Sequence, residues 1–460
     1  MLAALVGCCV AVSCNDCPEP HNIGTSNMPN RGAPVSLAAS NQLVVYLDTS
    51  ASMAGYVAVD LQRDGTFSRT LRELRNFVTL INPPLDVLVR RVDSRVGEPL
   101  NDMTLSRASI DNRLFNGSDT DLAGAFDSFE RPISNDAPPR FHVLVTDGVQ
   151  STNQQRPDLA CTSGSDQLCV RRKIFDLLNK GWGGSVIGLR GAFHGQIYSE
   201  VNKAQSRSSV LRFDSDDNDP QTFRPFYLYV FSPDRAALEP FVAKLIERLI
   251  PLVGQDEHSL RVLPLTFQYA AGPTQAEASV PREAANLLAI RKQSNTVLPE
   301  FTIAIDPSTA QKGPQPFFIT ITLPWSKNVL QSGSPQERAH LISWQLTPDY
   351  PKQVNPKARY PEVKIVGQQV NEAGLVVLQV TAQWLPAVGD LCWRGYHVEG
   401  TLDPEALTPQ WVRDWSTNLD TNIENANRTL YLETALLGLW RNSVLQKQLV
   451  AEAYLVAGKR

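Results

Sequence analysis

Between residues 41 and 250, short apolar runs alternate with stretches whose apolar residues recur at helical spacing, and this alternation restricts the fold more than any other feature. The runs are LVVYL (43–47), LDVLVRRV (85–92), FHVLV (141–145), SVIGL (185–189) and FYLYVF (226–231). Their length and near-continuous apolar character predict strands buried on both faces. Between them, Leu71, Leu74, Phe77, Val78 and Ile81 share one helical face, as do Leu238, Phe241, Val242, Leu245, Ile246 and Leu249. Buried strands alternating with amphipathic helices predict the α/β class, with a doubly wound, mostly parallel, Rossmann-like sheet covered on both faces.

After residue 257 the pattern changes. RVLPLTFQY (261–269), EFTIAI (300–305), FFITITL (317–323), LISWQL (341–346), EVKIV (362–366), LVVLQVTAQW (375–384) and CWRGYHVEG (392–400) are strand-like, with Pro, Gly, Asn and Ser between them. Strands without intervening helices predict a β-rich, sandwich-like domain over 258–400. Residues 401–460 are expected to form a Trp-containing helical tail. TPQWVRDWSTN leads into Leu436, Leu439, Trp440, Val444 and Leu449 at helical spacing, and Arg441, Lys447 and Gln448 interrupt that pattern too often for a membrane span.

The first residues, MLAALVGCCVAVSCNDCPEP, are small and apolar up to Cys14 and then turn polar. Residues 1–17 resemble the core and cleavage region of a secretory signal without its basic start. LVGC, ending at Cys8, and AVSC, ending at Cys14, both resemble the lipobox of bacterial lipoproteins, whose cysteine is lipidated. Cys8 has the better local match, whereas Cys14 leaves the more reasonable apolar length. That resemblance implies export to the cell envelope and a membrane anchor, with residues 18–40 (Pro, Gly, Ser and Asn without apolar period) as a linker. Cys161 and Cys169 bracket a polar loop, CTSGSDQLC, at a spacing wrong for a zinc knuckle, and are expected to form a disulfide. Cys14, Cys17 and His21 lack a fourth ligand nearby. A net charge of −4 gives no sequence-independent grip on nucleic acid, and Arg171-Arg172-Lys173 reads as a solvated helix face.

In a doubly wound sheet, ligands bind beyond the carboxyl ends of the strands, where strand order reverses. Asp48 ends the first apolar run, with Ser50 and Ser52 just after it, and Asp147 ends the run FHVLVTD. The loop NGSDTDLAGAF (116–126) supplies Thr120, placed to start a helix. Two carboxylates and three hydroxyls converging on one crevice suit a hard cation. A phosphatase nucleophile at Asp48 requires a second acid where Ser50 stands. A hydrolase Ser50 or Ser52 requires a histidine, and His142 and His194 are the ones in this region; GxSxG is absent here. Local turn capping by the same residue types is the plainest alternative.

Asp48-x-Ser50-x-Ser52, followed by Thr120 and by Asp147 in VTDG, resembles the metal-ion-dependent adhesion site of the von Willebrand factor type A domain, over roughly 41–250. The resemblance implies Mg²⁺ or Mn²⁺ held directly by the Ser and Thr hydroxyls, with the Asp residues acting directly or through water. A carboxylate from a protein or peptide partner would complete the shell. Ala51 stands where that family frequently has Gly. The function so implied is that of an exported, membrane-anchored binding protein. The alternatives are an assembly subunit that binds through its β-rich domain and tail with a vestigial metal site, and a metal-dependent hydrolase.

Overall fold

β1 (Ser40–Asp48) sends its apolar side chains into two separate cores, one on each face. Val44 and Tyr46 join a cluster with Leu122 and Phe126, while Leu43, Val45 and Leu47 join another with Phe67, Leu71 and Leu74. That division is what period-two alternation requires of a strand between two helical layers. In the computed structural model the described residues are 40–57, 64–81, 84–131, 139–151, 166–201, 210–253, 259–266, 275–293, 298–322, 342–348, 357–370, 375–402, 410–436, 439 and 449–459.

The sheet around β1 also contains β2 (Asp86–Val92), β3 (Leu100–Asn101), β4 (Pro139–Thr146) and β5 (Gly183–Gly191). A hairpin of β6 (His194–Tyr198) and β7 (Val210–Asp214) leads to β8 (Arg224–Ser232), and β9 (Leu260–Pro264) follows. Its seven strands run in the order β3-β2-β1-β4-β8-β5-β9. α1 (Thr66–Phe77) and α5 (Arg235–Leu249) pack on one face, with the rings of Phe77 and Phe241 5.2 Å apart. α3 (Leu122–Phe129) and α4 (Asp166–Asn179) cover the other face, and a short α2 (Met103–Ala108) packs on α1.

The sheet is mixed, which overturns the expectation of a doubly wound, mostly parallel one. β1 runs parallel to β2 and β4, but β8 is antiparallel to both β4 and β5, and β9 is antiparallel to β5. The cause lies in the connection. The connection from β5 to β8 contains the β6–β7 hairpin, and β8 returns antiparallel between β4 and β5. β9, expected with the sandwich, instead closes the edge of this first sheet.

The rest of the strands form two larger sheets over one core. β10 (Gln275–Ser279), β13 (Gln315–Thr322), β17 (Val376–Gln383) and β16 (Glu362–Val370) are antiparallel throughout. β11 (Leu288–Lys292), β12 (Glu300–Ile305), β22 (Leu449–Lys459), β19 (Arg394–Leu402) and β14 (Ile342–Pro348) form a second, mixed sheet. Ile319, Leu378 and Val380 of the first share a core cluster with Ile303, Val398 and Leu455 of the second. Two-residue strands make minor pairs, β15 (Ala358–Arg359) with β18 (Asp390–Leu391) and β20 (Ser416–Thr417) with β21 (Thr429–Leu430).

The expected C-terminal helical tail is also overturned. Among the described residues beyond 401, helices are confined to Gln410–Asp414, Leu432–Leu436 and a 3-10 turn at Ile423–Asn425. The last described strand is β22, which pairs parallel with β12 and antiparallel with β19 in the middle of its sheet. A strand buried on both faces carries no period-two signal, so its apolar run is indistinguishable from that of a buried helix. Trp440, Val444 and the polar residues between them lie outside the described residues. No helix among the described residues is long and apolar enough to cross a membrane.

Candidate metal centre

Parallel pairing of β1 with β4 in the register Leu47↔Val145 sets the carboxyl ends of the two strands side by side. Asp48 therefore faces Thr146, whose hydroxyl donates to Asp48 Oδ2 at 2.7 Å. The Ser50 amide donates to Asp48 Oδ1 at 2.9 Å, turning the chain into the 3-10 helix Ala51–Tyr56. Ser50 Oγ and Ser52 Oγ lie 3.1 Å apart on the outer side of that turn.

The third hydroxyl arrives by backbone docking. Ala51 N donates to Gly117 O and Gly117 N donates to Thr49 O, each at 2.9 Å, so the 116–120 loop lies against the first loop. Glycine is needed there, because a Cβ at 117 would come within 2.8 Å of the Asp93 Cβ and 3.1 Å of the Thr49 carbonyl. Thr120 then exchanges backbone hydrogen bonds with Ser151, and Asp121 caps α3 by accepting from the Gly124 amide at 3.0 Å.

Ser50, Ser52, Thr120 and Asp147 line a single cavity of ≈ 340 Å³. Asp48 does not line it; its side chain is wholly buried behind the loop, with both oxygens accepting hydrogen bonds. Burial first, and the nearby Asp147 second, push the Asp48 carboxyl up to about 7, against the opposing effect of the Thr146 and Ser50 donors. These residues thus present oxygen donors on a floor of buried carboxylates. A cation, held directly or through water, is the chemical species that such a set accommodates.

Several residues of the site escaped the sequence reading. Arg224, at the start of β8, places Nη2 3.3 Å from Asp147 Oδ2 and donates through Nη1 to the Ala426 carbonyl at 2.9 Å. Thr429 Oγ1 donates to the Asp147 carbonyl at 3.1 Å and accepts from the Tyr227 hydroxyl at 3.0 Å. Asp420 accepts from Ser199 Oγ at 2.7 Å and from the Glu200 amide at 2.8 Å, and it lines the cavity with Glu200 and Arg428. One wall of the crevice thus comes from 420–430, a stretch expected only as tail. The one signal available was the arginine set directly before an apolar strand, RPFYLYVF.

His142, weighed as a base for a nucleophilic serine, is fully buried among Tyr46, Phe129 and Trp182. Burial pushes its imidazole down to about 3, so it stays neutral in the core. His194 sits on β6, 2.9 Å from Asp217, and neither histidine lines the cavity. Cys169, in α4, is engaged in a disulfide, as is Cys392; Cys161, Cys8, Cys14 and the linker lie outside the described residues.

A different group of side chains could hold a metal ion as well. On the mixed sheet of the β-rich part, His397, Glu399 and Glu452 place their ligand atoms within 4.8 Å of one another. Comparison of the chain with protein-family models, with curated proteins and with solved structures finds no match in any of the three.

Proposed function

We propose that this chain is an exported binding protein, anchored in the cell envelope by a lipid on Cys8 or Cys14, that engages a protein or peptide through a divalent ion held in the crevice. The ion is Mg²⁺ or Mn²⁺, held by the hydroxyls of Ser50, Ser52 and Thr120 with the carboxylates of Asp48 and Asp147. The resemblance to von Willebrand factor type A domains suggests this reading. The observation that carries it is the convergence of Ser50, Ser52, Thr120 and Asp147, from three separate loops, on one cavity. The donor set fits Mg²⁺, which takes oxygen ligands and keeps several waters. Asp48, already accepting two hydrogen bonds, would act mainly through its charge and through water. When bound, the ion supplies an electrophilic centre for a partner's carboxylate.

One observation favours the assembly-subunit reading. Arg224 already presents a cation to Asp147 in a buried pair, which is what a vestigial metal site would contain. Titration calorimetry with Mg²⁺ on the wild type and on Asp48→Ala, beside affinity capture from membrane extract with Mg²⁺ or with chelator, separates the two. Metal binding lost in Asp48→Ala, with capture falling in step, supports metal-dependent binding. Capture that survives chelation moves the function to the β-rich part and the 410–436 segment. Intact mass of the membrane-extracted protein tests the anchor: an unmodified chain in the soluble fraction would refute it.

A further inference from the structure

The face of the mixed sheet turned away from its core carries a cluster of nitrogen and oxygen donors separate from those of the crevice. Tyr396 and Val398 of β19 point into the core, so His397 and Glu399, at alternate positions, share the opposite face. β19 and β22 pair antiparallel with Glu399 directly opposite Glu452 and His397 opposite Tyr454. The imidazole bridges the two acids, with Nδ1 3.1 Å from Glu399 Oε1 and Nε2 3.4 Å from Glu452 Oε1. Both strands lie inside the five-stranded sheet, flanked by β12 and β14, so the donors stand on a rigid platform.

Two features point beyond an ordinary surface cluster. Directly opposed carboxylates on neighbouring strands repel each other, and here one of them, the Glu452 side chain, is only 6% exposed. The three ligand atoms lie within 4.8 Å of one another, close enough for one ion to meet all three. The His397 and Glu399 side chains, at 24% and 35% exposure, leave a way in from solvent.

We propose that His397, Glu399 and Glu452 form a metal site for a divalent first-row transition ion of the Zn²⁺ type, with water completing its coordination. One imidazole nitrogen and two carboxylate oxygens form a mixed set that suits such ions better than Mg²⁺, which favours oxygen alone. The site stands on its own residues and does not depend on the crevice holding an ion. The experiment distinguishes a metal site from a cluster held by its own hydrogen bonds and ion pairs.

Zn²⁺ is titrated into the full chain at neutral pH with Mg²⁺ in excess, and Co²⁺ is titrated in parallel for its visible absorption. The wild type is expected to bind Zn²⁺ despite the Mg²⁺. His397→Ala and Glu399→Gln should weaken that binding at least about tenfold and remove the Co²⁺ bands, while Asp48→Ala leaves both unchanged. Both test residues are partly exposed, so their variants decide the matter even should the buried Glu452→Gln fail to fold. Wild-type affinity for Zn²⁺ in His397→Ala and Glu399→Gln would overturn the site, and so would a wild type that binds no Zn²⁺ while His397→Ala loses stability.

Discussion

The Arg224 guanidinium stands 3.3 Å from the Asp147 carboxylate, with the two side chains only 4% and 1% exposed. This pair places a fixed cation beside the candidate metal site. It also joins that site to the C-terminal segment, since the same guanidinium donates to the Ala426 carbonyl. Removing one member of a buried pair strands the other, at a cost of about 3–5 kcal/mol. Arg224→Gln should therefore lower metal-free stability by about 3 kcal/mol, the amide recovering part of the hydrogen bonding. It should also raise Mg²⁺ affinity, because Asp147 would lose the guanidinium and gain a cation in the ion. Urea denaturation with and without saturating Mg²⁺ reads both effects, and a deficit that Mg²⁺ leaves untouched would argue against a metal at Asp147.

Asp48 makes the metal-free protein pH-sensitive. Its carboxyl lies up at about 7 in the fold, against about 4 for an ordinary aspartate, so the native state binds the proton more tightly than the unfolded chain does. Its contribution to stability is complete below about pH 4 and is lost as pH rises to about 7. Asp48→Asn removes that loss but gives up one accepted hydrogen bond, from Ser50 or Thr146. In chelator, the variant should gain on the wild type between pH 4 and pH 7, by about 2 kcal/mol at the upper end. Parallel stability profiles for the two proteins across that window would contradict the assignment.

Thr429 ties the C-terminal segment to the strand end that carries Asp147. Thr429→Val keeps the shape but removes the acceptor of the Tyr227 hydroxyl and the donor to the Asp147 carbonyl. With Tyr227 fully buried, the expected cost is about 1–3 kcal/mol by chemical denaturation. A neutral substitution would mean that the 429 region does not pack over the crevice in solution.

Cys169 is disulfide-bonded, and its expected partner is Cys161. Peptide mapping without reductant should recover the two cysteines in one linked pair. Closing so short a loop should stabilise the protein by about 2–3 kcal/mol, lost on reduction. Recovery of both as alkylated free thiols would rule the pair out.

What was legible in the sequence is what local chemistry settles. An apolar run ending in Asp48, with hydroxyls at alternate positions, marks the carboxyl end of a buried strand, and the loop with Thr120 before a capped helix marks another. Parallel pairing of β1 with β4 then brings Asp147 beside them. Each of these signals lies within about a dozen residues of chain, where periodicity and capping operate.

Tertiary structure decided the remainder, because long-range pairing leaves no local trace. The direction of β8 is seen only in its antiparallel pairing with β4 and β5, and the apolar run FYLYVF reads the same either way. β22 is a strand because two strands await it on either side, not because of its own period. Arg224 meets Asp147 across 77 residues of chain and Thr429 meets it across 282, distances over which no spacing rule holds. Glu399 and Glu452 likewise face each other only because β19 and β22 pair in that register, and a shift of one residue would turn either acid to the opposite face of the sheet.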